Sequence, residues 1–269
     1  MLGVFEKARA VLDLYTTAHP EWGVTEVARQ LGFPPSSAHV LMTSLTQMGL
    51  LHRTVAGRYR LGFKLLALSQ VLLSNTPWRD VARDEMTTLG QGCGEALLLA
   101  AFDGGQLVTV ATIEGRHPDS PPLPQVGAVL PPYPSASAAL LLAHRPWSVV
   151  RRALQGDGAE RTPAELDAAL LDLERVVQDG LASSLDAQMW SVAAPVRNHN
   201  GEVIAALSVH VPATRTVERR MALQRALEDA SQRLSARIGH VDRAPEERLF
   251  WTSVQGQERL QRPSRRTLR

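Results

Sequence analysis

The sequence predicts an α+β protein in which an N-terminal winged helix-turn-helix is joined by a helix to a mixed α/β domain built on an antiparallel sheet. Three observations predict it. Two short helical segments are separated by the turn "GFPP" and followed by an alternating hairpin segment, "LLHRTVAGRYRLG". A leucine-rich helix then ends at Asn75-Thr76-Pro77, and two apolar strands further on are joined by the turn Asn198-His199-Asn200-Gly201. These breaks divide the chain into a winged module at 1–62, a linking helix at 63–76, a second domain at 77–239 and a polar, basic tail at 240–269.

In "VFEKARAVLDLYTTA", apolar residues at Val4, Ala8, Val11, Leu12 and Tyr15 recur with helical period, and the segment stops before His19-Pro20. "GVTEVARQLG" is a second helix: Thr25 is its expected N-cap, Glu26 lies in the first turn, and Gly32 takes the left-handed position after the last turn. The third helix enters through Pro34-Pro35, where a missing N–H costs nothing. Its apolar stripe is Ala38, Leu41, Met42, Leu45 and Met48, which leaves Ser36, His39, Val40, Thr43 and Gln47 on the other side. After Gly49 the alternation predicts a two-stranded wing turning at Ala56-Gly57, with Tyr59 and Leu61 on one face and Arg58 and Arg60 on the other. In the second domain we expect a helix over 78–91, strands in "EALLLAAF" and "QLVTVATIEG", a helix at 135–143, and a helix opened by the capping box Thr162-Pro163-Ala164-Glu165. Strands "MWSVAAPVR" and "EVIAALSVHV" and a long helix over 214–239 complete it.

With 269 residues, 44% of them hydrophobic, the chain can bury two cores, so most of it is expected to be ordered, with the 240–269 tail loosely so. No apolar run approaches the ~20 residues that span a bilayer, and the N-terminus lacks a signal-peptide core, so a cytoplasmic protein without membrane contact is expected. A single cysteine, Cys93, forbids an internal disulfide and reads as a small buried residue at a helix end. Eight histidines occur without metal-ligand spacing, and neither metal nor cofactor is expected. Charge is uneven: residues 1–74 carry 7 Lys and Arg against 4 Asp and Glu, whereas 75–239 carry 15 against 19. A basic module on an acidic body is what is expected when one end meets nucleic acid, the alternative being chance variation.

The ordered series "VTEVARQLGFPPSSAHVLMTSLTQMGLL", "GRYRLGFKLLAL", "VGAVLPPYPSASAALLLA" and "WSVAAPVRNHNGEVIAALSVHVP" resembles the IclR-type family of bacterial transcriptional regulators, over about residues 4–239. The resemblance implies a winged helix-turn-helix, a linking helix, a GAF-like effector-binding domain that holds a small metabolite, and a dimer or tetramer. This sequence departs from the family pattern at five places. Pro35 and Val40 stand where basic residues are usual, and Ser191 stands where a cysteine is usual. The stretch Tyr133–Ala139 keeps the hydroxyl of Ser135 but loses a glycine and a lysine, and the loop "GLASSLDAQM" is shortened.

These readings define two candidate sites. Between Gln30 and Arg53 there is no Lys or Arg. Attraction to the phosphates of double-stranded operator DNA is therefore assigned to Arg53, Arg58 and Arg60 in the wing and Lys64 after it, and base reading to Ser36, Ser37, His39, Val40 and Thr43. Without an arginine to read guanine, A·T-rich half-sites are expected. Ser135, Ser137, Asp186, Ser191, Ser208 and His210 are the candidate contacts for a small anionic effector, an organic acid or similar, with the N-terminus of the 135–143 helix receiving its charge. Ser135, Asp186 and His210 contain the ingredients of a nucleophilic triad, but no G-x-S-x-G elbow accompanies them, so the chain is not expected to be an enzyme. The competing reading is a winged-helix interaction or dimerisation protein that does not touch DNA.

Overall fold

The computed structural model describes residues 3–131, 133–155 and 162–241; apart from its first two residues, the predicted basic tail lies outside them. The chain divides into two units, Met1–Pro77 and Trp78–Arg269.

In the first unit α1 (Val4–Asp13), α2 (Val24–Leu31) and α3 (Pro35–Gln47) pack around Val11, Val27, Ala38, Met42, Leu45, Leu51 and Tyr59. Pro35 occupies the first helical position of α3, and Gly32 closes α2 with φ 68°. Two expectations at helix ends fail. The N-cap of α2 is Gly23 instead of Thr25, because the Glu26 carboxylate reaches back to accept from the Gly23 N–H at 2.9 Å. Met48 is 63% exposed, since α3 ends at Gln47 and Met48 is already its C-cap. The wing is a three-stranded antiparallel sheet with the order β1 (Glu21–Trp22), β3 (Tyr59–Leu61), β2 (Leu51–Arg53), and β1 is a strand the sequence did not announce. Tyr59 is buried while Leu61 is 45% exposed, so the expected shared apolar face holds only at Tyr59. After the wing, α4 (Lys64–Ser74) buries no side chain.

The second unit is built on a six-stranded antiparallel sheet in the order β6 (Val129–Leu130), β5 (Gln106–Ile113), β4 (Ala96–Asp103), β9 (Val203–Pro212), β8 (Met189–Arg197), β7 (Ala182–Leu185). Alternation sends successive residues to opposite faces. Leu97, Leu99, Val192, Leu207 and Val209 pack against α5 (Pro77–Cys93) and α9 (Val217–Arg237); Leu98, Ala100, Ala193 and Ala206 pack against α6 (Ala136–Ala143) and α8 (Pro163–Asp179). Helices on both faces of an antiparallel sheet are the GAF-like arrangement expected. β6, α7 (Trp147–Gln155) and β7 are additional elements, and β7 lies inside the stretch read from sequence as a shortened loop.

Candidate functional site

On the first unit, Ser36, Ser37, His39 and Val40 are exposed along one side of α3, and Thr43 is half-buried beside them. Pro35 has no N–H, so the first free backbone donors of α3 belong to Ser36 and Ser37. Arg53, Arg60 and Lys64 are exposed, with the Arg53 guanidinium 5.9 Å from the Tyr59 ring. Arg58 is placed differently. Its guanidinium donates to both carboxylate oxygens of Glu26, at 3.0 and 2.8 Å, and to the Glu21 carbonyl at 2.9 Å. The Arg58 guanidinium, helped by the Gly23 N–H, holds the Glu26 carboxyl below the usual carboxylate range. This forked pair ties the wing to the start of α2.

On the second unit, the candidate residues converge where β9 ends beside the start of α6. Ser135 caps α6, accepting from the Ala138 N–H at 3.3 Å. Two residues on, the Ser137 hydroxyl donates to Ser208 Oγ at 3.0 Å. Ser208 Oγ in turn lies 3.1 Å from the Leu98 carbonyl oxygen and 2.9 Å from His210 Nε2. Ser191 faces His210 directly across the β8–β9 ladder. Ser137, Ser191, Ser208 and His210 are all at least nine-tenths buried. Asp186 does not join them. It is exposed, and its Oδ1 accepts from the N–H groups of Gln188 and Met189 at 2.8 and 2.7 Å, which forms the β7–β8 turn and holds its pKa below the usual range.

Burial pushes the His210 imidazole down to about 4. An unfolded chain therefore binds this proton at higher pH than the native one, so native stability is complete above about 6.5 and is lost as pH falls towards 4. Chemical denaturation at pH 7 and pH 4 should show this extra acid lability in the native chain and a smaller one in His210→Gln.

Sequence reasoning missed a second cluster in the same unit. Glu95 precedes β4 with its side chain 1% exposed, and its Oε1 meets Arg219 at 3.3 Å and Arg215 at 3.5 Å. Arg215 also grips Asp119 with two bonds of 2.8 and 2.9 Å. An acid directly before an unbroken apolar run was the available signal. Thr109 was missed too; its buried hydroxyl has no partner among the described residues.

A winged helix-turn-helix followed by a separate antiparallel sheet domain with helices on both faces is the architecture of a two-unit DNA-binding regulator. The IclR helix-turn-helix domain matches residues 4–54, and the bacterial transcriptional regulator IclR C-terminal domain matches residues 70–236. The chain belongs to the IclR family of bacterial transcriptional regulators. It is 28% identical over 245 residues to the HTH-type transcriptional regulator KipR of Bacillus subtilis, covering 87% of this chain and 96% of that protein. It is 30% identical over 220 residues to the glycerol operon regulatory protein of Streptomyces griseus, covering 78% and 85%. Among solved structures, an IclR-type regulator from Silicibacter sp. TM1040 superposes with TM-score 0.75 at 26% identity, covering 91% of this chain and 99% of that one. An IclR homologue from Microbacterium hydrocarbonoxydans, complexed with 4-hydroxybenzoate, superposes at 0.72 with 24% identity and coverages of 87% and 98%. No described helix is long and apolar enough to cross a membrane.

Proposed function

We propose that this regulator binds a two-fold operator as a homo-oligomer, and that a small metabolite held between the α6 start and the end of β9 alters its affinity for that operator. The observation that carries the effector reading is the chain Ser137–Ser208–His210, a polar group built into an otherwise apolar core. Buried polar groups cost stability unless they are satisfied, and three such groups on one face are unnecessary for packing. A carboxylate of the ligand is best received by the backbone N–H groups at the start of α6, where the helix carries partial positive charge.

On DNA, we assign base contacts to Ser36, Ser37, His39, Val40 and Thr43, and phosphate contacts to Arg53, Arg60 and Lys64. Arg58 we reassign from phosphate contact to positioning the wing, because Glu26 and the Glu21 carbonyl take three of its five N–H donors and the Glu26 carboxylate offsets its charge. A second copy of the chain is proposed to cover α4, its N-cap Phe63 and α1, where Phe63, Leu66, Val71, Leu72 and Phe5 are each more than 60% exposed. Light scattering at micromolar concentration should show a dimer or tetramer, and Leu66→Glu with Leu72→Glu should shift it to monomer. A monomer in the unsubstituted chain contradicts the proposal.

The effector reading is tested by mobility shift on genomic fragments with and without small organic acids, 4-hydroxybenzoate included because a family member of the same fold carries it. Coupling between two such sites is typically about 5- to 150-fold in affinity. Operator affinity unmoved by a compound that binds the second unit would remove the reading.

A further inference from the structure

Resting on that effector reading, we propose that His210 and Ser191 together read an uncharged hydroxyl of the ligand, so that at this end of the site the effector is a phenol or an alcohol and its carboxylate, where it has one, lies elsewhere.

The argument is a count of protons. Ser208 Oγ has three neighbours at hydrogen-bond distance, the Leu98 carbonyl, Ser137 Oγ and His210 Nε2. A hydroxyl has one proton to donate and two lone pairs. The carbonyl can only accept, so the Ser208 proton goes to Leu98, and the other two contacts must be donated to Ser208. The ring proton of His210 is thereby fixed on Nε2, and Nδ1 keeps its lone pair. Nδ1 has no partner among the described residues, and it is not among the side-chain atoms that are both unpartnered and sealed from solvent. The same holds for Ser191 Oγ, although Ser191 is only 2% exposed. These two residues are directly paired across β8 and β9, and opposed side chains on one face of an antiparallel pair stand about 5 Å apart at Cβ.

An acceptor beside a donor-acceptor fits a hydroxyl, which donates to Nδ1 and accepts from Ser191. A carboxylate fits poorly: it would set its own lone pairs against Nδ1. It would also find no cation here among the described residues. Arg145 is held at the opposite end of this face by Phe102 and the Val203 carbonyl, while Arg215 and Arg219 are engaged with Glu95 and Asp119.

The experiment compares hydroxylated and deoxy probes on the full chain by titration calorimetry at pH 7, with 4-hydroxybenzoate against benzoate and lactate against propionate. In at least one pair the hydroxylated member is expected to bind tenfold tighter or more, about 1.4 kcal/mol. His210→Gln places an amide near the Nε2 position and removes the acceptor at Nδ1, so the preference should fall below about threefold. His210→Asn restores an acceptor at the Nδ1 position and should recover it, which a merely structural role for the ring does not predict. Equal binding within both pairs, a preference that survives His210→Gln, or no binding by either hydroxylated probe overturns the proposal. Tight, hydroxyl-selective binding that leaves operator affinity unchanged would instead count against the effector reading.

Discussion

Gly62→Ala is expected to disable the winged module more severely than any other glycine substitution in it. A Cβ at this position would lie 2.1 Å from the Gly49 carbonyl oxygen and 3.1 Å from that of Leu51, and both obstacles are backbone. The Gly62 N–H is also pinned to the Leu50 carbonyl at 2.8 Å. Relief requires the exit of the wing to separate from the turn after α3, so we expect a loss on the order of 3 kcal/mol, the upper end of the range for overpacking. Gly32→Ala is the control. Its φ of 68° carries the left-handed penalty of about 1 kcal/mol, but nothing lies within 4 Å of its Cβ. Urea unfolding of the full chain, followed by a probe in the first unit, should rank Gly62→Ala well below Gly32→Ala, and operator binding should follow the same order. Equal effects would mean that the approach of Gly62 to Gly49 is not tight in solution.

A loss of similar size is expected in the second unit from Arg215→Ala combined with Arg219→Ala. The Glu95 carboxylate is almost fully enclosed, and its Oε2 already lacks a partner among the described residues. Without the two guanidinium groups its nearest cationic candidate is His117 Nε2 at 3.9 Å. Breaking a buried ion pair from one side costs about 3–5 kcal/mol because a charge is left stranded. Adding Glu95→Gln to the double variant should recover most of that loss. If the triple variant is no more stable than the double, the cost comes from lost packing of the arginine stems or from the freed Asp119, and the stranded-charge account is wrong.

How much of this was legible depends on what each residue competes against. The three helices and the hairpin of the first unit could be read because periodicity, prolines and glycines agreed, as at Pro35 and Gly32. β1, with two residues, and β7, whose "ASSL" has neither β-branched residues nor clean alternation, are held by neighbouring strands and carry almost no local signal. The cap of α2 was misplaced because Thr25 is a good cap in isolation, whereas Glu26 satisfies a donor one turn back. In the proposed effector site, alternation along β9 put Ser208 and His210 on one face, but nothing local announced that Ser137, 71 residues away from Ser208, would complete the chain. Asp186 and Arg58 show the complementary case: their place in the sequence was legible, but nothing local announced the turn and the ion pair that engage them within their units.

The central claim, a division of labour between wing and helix, is tested most directly by the salt dependence of operator binding. Each phosphate contact contributes about one unit to the slope of log affinity against log salt. Arg53→Ala with Arg60→Ala should flatten that slope by roughly 1 to 2 units and weaken all sequences alike. Arg58→Ala should lower the melting temperature of the winged module and leave the slope of the folded protein nearly unchanged. Val40→Ala and Thr43→Ala should keep the slope and change the preferred bases within A·T-rich half-sites. An unaltered slope in the Arg53 and Arg60 double variant, or a flattened one in Arg58→Ala, would show that the wing's charges are assigned wrongly.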